Sequence, residues 1–142
     1  LRPVVDGLVR TMRRLYAGRD LEWDVGPIPE SPAFRGGEQD LQAMLGNLID
    51  NACKWATSRI AIRVRDEDGR VSIFVEDDGK GVPAEKRDAI LRRGVRADEQ
   101  VPGSGLGLAI ADDVARMHGG NLTLADSPLG GLRAVLTLPA TS

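Results

Sequence analysis

The chain has 142 residues, 19 Lys and Arg against 21 Asp and Glu, and a formal net charge of −2. A balance this near neutral offers no field for nucleic acid or an anionic membrane. A single cysteine, Cys53, and a single histidine, His118, leave no material for a disulfide framework or a Cys/His zinc cluster.

Residues 4–16 set Val4, Val5, Leu8, Val9, Met12, Leu15 and Tyr16 at helical spacing, with Arg10, Arg13 and Arg14 turned outward. The helix should end near Gly18, and residues 21–25 alternate as a short strand before a proline-rich loop. Residues 38–56 carry the strongest helical pattern, with Leu41, Met44, Leu45, Leu48, Ile49 and Ala52 on one arc. Ile60, Ile62 and Val64, then Val71, Ile73 and Val75, predict an antiparallel hairpin turning at residues 66–70. A short helix follows at 84–91 and a longer one at 106–117, capped by Gly119-Gly120. Leu122/Leu124 and Leu132/Ala134/Leu136/Leu138 read as a closing hairpin through residues 127–131. The expected fold is α+β, a two-layer sandwich of a mixed five-stranded sheet and about three substantial helices, in one domain over 1–142. The apolar runs are too short to span a membrane, no signal-like segment opens the chain, and a start at Leu1 reads as a fragment of a longer protein.

Three motifs carry chemistry. Asn47, Asn51 and Lys54 fall within about 60° of one another on the 38–56 helix. Amide oxygens are hard ligands suited to magnesium, and a lysine meets phosphate as a point charge. The same trio also fits the wet side of any amphipathic helix. Asp77-Asp78-Gly79-Lys80-Gly81-Val82 ends a strand with acids and enters Gly-x-Gly. A fixed carboxylate there can accept from an exocyclic amine while the glycines admit a flat ring, or the segment is a solvated acidic turn. Gly103-Ser104-Gly105-Leu106-Gly107-Leu108 leads into a helix. Its backbone N–H groups suit phosphate, although neither the Walker nor the Gly-x-Gly-x-x-Gly pattern is met and a flexible loop has the same composition.

Taken in order, these motifs resemble the GHKL ATPase superfamily over essentially the whole chain. Residues 47–55 look like the N box of sensor histidine kinases, 77–81 like the G1 box and 103–108 like the G2 box, and the wording is closest to the PhoQ-type branch. The resemblance implies the Bergerat fold and a protein-histidine kinase. Such a domain binds Mg-ATP and transfers the γ-phosphoryl to a histidine on a separate dimerisation domain of the same kinase, with a response regulator downstream. It implies that Asn51 holds magnesium, with Asn47 beside the triphosphate and Lys54 on phosphate oxygens. Trp55 would flank the nucleotide, Asp77 would receive the adenine amine, and Gly79, Gly81 and Val82 would admit the ring. Residues 92–104 would form a lid, with Arg96 reaching phosphate and Gly103, Ser104, Gly105, Leu106 and Gly107 as hinge and phosphate floor. Asn47, Lys54 and Arg96 would be the catalytic set.

The sequence also departs from the pattern. Leu91 stands where the family often has Phe, Val101 where a second lid arginine is expected, and Ser104 where the branch has glutamine. His118 precedes two glycines, so a structural role is expected for it rather than phosphorylation. The alternatives are an anti-sigma-type serine kinase, which usually lacks the Lys54 equivalent, and another GHKL ATPase, which needs an acid near Asn47. Asp50 lies roughly 60–100° off the Asn47/Asn51 face. The expected setting is the cytoplasmic part of an inner-membrane, homodimeric sensor kinase, with no nucleic acid partner and no direct membrane contact from these residues.

Overall fold

The computed structural model describes residues 2–28, 37–67, 69–93 and 106–139. Within them, helix α1 (Arg2–Leu15) leads through a 3-10 turn at Ala17–Arg19 into β1 (Glu22–Val25), and α2 (Glu38–Trp55) leads into β2 (Arg59–Glu67). Then come β3 (Arg70–Asp77), α3 (Ala84–Arg93), α4 (Leu106–Met117), β4 (Asn121–Asp126) and β5 (Leu132–Pro139).

The sheet order is β1-β2-β3-β5-β4. Strand β1 runs parallel to β2, with Glu22 opposite Arg59, and every other pairing is antiparallel. Helix and strand pack as two parallel units. Leu8 of α1 lies beside Gly46 of α2, Tyr16 beside Asp50, and the Glu22 N–H reaches the Ser58 carbonyl at 2.7 Å.

One face of the sheet carries the helices. Ile60, Ile62, Val71, Ile73, Val75, Ala134, Leu136 and Leu138 are buried there in one continuous core with Leu41, Met44, Leu45, Leu48 and Ile49 of α2 and Leu108 and Ala111 of α4. The period-2 and period-3.6 patterns thus face each other across a single apolar layer. On the opposite face, the Arg65 and Arg133 guanidinium groups stack on Phe74, each 5.5 Å from the ring centre.

The expected sandwich is present, with α1, α2 and α4 as the three substantial helices and α3 as the short helix expected at 84–91. One expected core residue is misplaced. Leu15 is 68% exposed, because it is the last residue of α1 and stands beyond Met12, where the buried stripe through Val4, Val5, Val9 and Met12 ends. Leu91 does pack on the core.

Candidate functional site

The C-terminal half of α2 faces the start of α4. The Asn47 amide donates to the Ala43 carbonyl at 2.8 Å, which leaves its Oδ1 toward Gly107. A Cβ at Gly107 would stand 3.2 Å from that oxygen, so glycine lets the first turn of α4 close over the amide. Asn51, one turn further along α2, is half-buried.

Lys54 is placed differently from a free cation. Its Nζ lies 3.2 Å from Asp50 Oδ2, while the Tyr16 hydroxyl donates to Asp50 Oδ1 at 2.6 Å. Asp50 is therefore the hinge between α1 and the lysine, a role invisible to a reading that asks only which residues share the Asn47/Asn51 face. Trp55 ends the helix, and the Lys80 ammonium sits 5.0 Å from its ring centre.

The two acids at the end of β3 have separate tasks. Asp77 is 2% exposed, and its Oδ1 accepts from the Gly79 N–H at 2.9 Å and the Leu132 N–H at 3.3 Å. The described residues place no hydrogen bond on its Oδ2. Burial pushes its carboxyl upward against the pull of those two bonds. Asp78 turns away and gathers the connection between α2 and β2. Its Oδ1 accepts from the N–H groups of Thr57 (2.8 Å), Ser58 (3.0 Å) and Arg59 (3.0 Å), and its Oδ2 from the Ser58 hydroxyl at 2.9 Å. Burial works against the charge, but the hydrogen bonds outweigh it and hold this carboxyl at about 2.

Glycine makes the surrounding wall possible. A Cβ at Gly79 would collide with the Trp55 carbonyl, and one at Gly131 with the Asp77 carboxylate. Gly81 adopts φ +74° and backs onto Gly131. Gly131 thus belongs to the same wall as well as to the turn between β4 and β5 that its sequence pattern predicts. The paired Gly130-Gly131 before a strand was the available signal. Its turn is anchored from the far face of the sheet, where the Ser127 hydroxyl donates to buried Glu76 at 3.0 Å and the Ser127 N–H to the Gly131 carbonyl at 2.8 Å. Val82 is half-buried against the core, and its carbonyl accepts from Arg87 Nε at 3.0 Å.

Asn47, Asp77, Gly79, Gly81, Val82 and Gly107 thus gather on the helix side of the sheet end, with Asn51, Lys54 and Trp55 along α2. Arg96, Gly103, Ser104 and Gly105, with nearly all of the expected lid, lie outside the described residues, and Leu106 opens α4. His118, at the far end of α4, is not part of this group. Its Nε2 lies 2.7 Å from Asp40 Oδ2 in the first turn of α2.

The arrangement suits a purine nucleotide with its metal: a buried carboxylate behind a glycine wall, then amide oxygens and an ammonium along one helix. Comparison with known proteins points to an ATPase family. Residues 36–142 match the family model described as histidine kinase-, DNA gyrase B- and HSP90-like ATPase. The sensor protein kinase CarS of Pseudomonas aeruginosa is 50% identical over 128 residues, which is 89% of this chain and 28% of CarS. The virulence sensor histidine kinase PhoQ of Salmonella typhimurium is 38% identical over 131 residues, 92% of this chain and 27% of PhoQ. The chain therefore spans under a third of the length of these relatives. Among solved structures, the ATP-binding domain of PrrB from Mycobacterium tuberculosis superposes with a TM-score of 0.80 at 32% identity, over 99% of this chain and 93% of that one. The mycobacterial sensor histidine kinase MprB superposes equally well, at 0.80 and 29% identity, over 98% and 93%.

Proposed function

The chain belongs to the histidine kinase-, DNA gyrase B- and HSP90-like ATPase family, and from that premise we propose that it is the catalytic domain of a sensor histidine kinase, binding Mg-ATP and transferring the γ-phosphoryl to a histidine on a separate dimerisation domain. The observation that carries this reading is buried Asp77. It presents a carboxylate steadied by two backbone N–H groups, beside a glycine wall and opposite the N-box helix.

In this reading Asp77 accepts the adenine amine and Gly79, Gly81 and Val82 admit the ring, with Trp55 at its edge. Asn47 lies beside the triphosphate, Lys54 meets phosphate oxygens, and Asn51 offers its amide oxygen to magnesium. The donor set fits that ion, since hard oxygens are what magnesium takes. When bound, magnesium neutralises charge on the triphosphate. Arg96 and the glycines at 103, 105 and 107 complete the phosphate contacts. A histidine nitrogen on the dimerisation domain attacks the γ-phosphorus, the bond to the bridging oxygen breaks, and ADP leaves. What the chain contributes is positioning and charge stabilisation, as in phosphoryl transfer generally.

Asp50 is held by Tyr16 and Lys54, which speaks against its use as the water-activating acid of a conformational ATPase. The names of the relatives support a two-component setting in which a response regulator takes the phosphoryl group next. No described helix is long and apolar enough to cross a membrane, and we place this domain on the cytoplasmic side of a longer, membrane-anchored homodimer.

Incubation with labelled ATP tests the assignment. The chain alone should stay unlabelled, while the dimerisation domain of the same kinase, added in trans, should acquire acid-labile phosphate. Stoichiometric label on His118, or no transfer to the added domain, would overturn it.

A further inference from the structure

Tyr16, which links α1 to the 3-10 turn, and Arg19 of that turn grip the C-terminal end of α2 at two points that flank Lys54. On one side, the Tyr16 hydroxyl donates to Asp50 Oδ1 at 2.6 Å, and Asp50 Oδ2 holds the Lys54 ammonium at 3.2 Å. On the other, the Arg19 guanidinium donates to the carbonyls of Cys53 at 3.0 Å and Ala56 at 2.5 Å, two acceptors that the end of a helix leaves open. We propose that Tyr16 and Asp50 are positioning residues for Lys54, so that the end of α1 sets where the phosphate-binding ammonium is held.

A flexible lysine has four rotatable bonds, and fixing them is the chief cost of presenting its charge at one place. The Asp50 carboxylate removes part of that cost only if it is itself fixed, and the Tyr16 bond to its other oxygen does this. The pair is two-thirds shielded, with side-chain exposures of 28% for Lys54 and 34% for Asp50, so it is screened less than a surface ion pair. Burial, then the bond to Asp50, pushes the Tyr16 phenol upward, which keeps it a donor throughout the physiological range. Asp50 lies one turn before Lys54, so the link is local on α2 and long-range only at Tyr16, 34 residues earlier. Any displacement of α1 along α2 would be felt first at this carboxylate.

The inference rests on the phosphate role given to Lys54 above, and a double-mutant cycle separates the two. Affinities for ATP and for adenosine are measured by titration in the unchanged chain, Tyr16→Phe, Lys54→Ala and the double variant. Tyr16→Phe should lower the ratio of ATP to adenosine affinity about 3- to 10-fold, the range of one net hydrogen bond, and leave adenosine binding as it was. In the Lys54→Ala background the same substitution should change the ratio no further. A merely structural tyrosine would weaken both ligands together. Equal losses for ATP and adenosine, an equal effect of Tyr16→Phe with and without Lys54, or an unchanged ratio where Lys54→Ala lowers it, overturns the positioning role alone. A ratio that Lys54→Ala leaves untouched removes the phosphate role of Lys54 and this inference with it.

Discussion

Gly107, in the first turn of α4, stands where a side chain would press on the Asn47 amide oxygen, 3.2 Å from the Cβ that any other residue would bring. Two opposing effects of a substitution can therefore be read separately. Alanine is the better helix former, by up to about 1 kcal/mol. It also forces the Asn47 oxygen to move by a few tenths of an ångström. Gly107→Ala should leave thermal stability unchanged or raised while weakening Mg-ATP binding roughly 3- to 10-fold, the scale of one impaired polar contact. Parallel melting and titration experiments check it. Unaltered binding would place Asn47 away from the triphosphate.

Asp78 predicts an acid limit to stability. Its folded-state value of about 2 lies below the ordinary 3.8, so the ionised form is favoured by folding. That contribution is fully present above pH about 4 and is lost as the pH falls through about 2. Because the carboxylate is partly exposed, we discount the shift to on the order of 1–2 kcal/mol. Asp78→Asn should lower the urea midpoint by a constant amount from pH 7 to pH 5, and the gap should narrow below pH 4. A gap that persists undiminished at pH 2.5 would mean that the charge is not what the four donors hold.

Most of the fold was legible because burial and periodicity coincide. The α2 arc from Leu41 to Ala52 and the alternation at Ile60/Ile62 and Leu132 to Leu138 are buried as the patterns require. Leu15 misled because a helical wheel has no ends, whereas the packed surface of α1 does. At the site, the motif order picked out Asp77 over Asp78 only through resemblance. Composition cannot separate two adjacent acids, and the strand end does so by sending one into the core and the other to the Thr57–Arg59 backbone. Gly131, Tyr16 and Arg19 were hidden for a different reason. They reach the N and G1 motifs across 34 to 54 residues of sequence, and no local period encodes such a contact.

The geometry of Asp77 allows a sharper test than deletion. Both backbone donors bind Oδ1, and the described residues leave Oδ2 to face a ligand. In Asp77→Asn the amide can keep its oxygen toward Gly79 and Leu132 and present an NH2 in place of Oδ2. That group repels the amine of adenine, donor against donor, and suits the carbonyl of guanine. An unmatched buried polar group costs on the order of 1–3 kcal/mol, or roughly 5- to 150-fold in affinity. ATP binding should fall by a factor in that range while GTP binding holds or improves, so the preference narrows or inverts without loss of fold. Competitive titration of both nucleotides against the variant measures it directly. A preserved ATP preference in a folded Asp77→Asn chain would take Asp77 out of base recognition and leave it as the brace between β3 and the Gly131 turn.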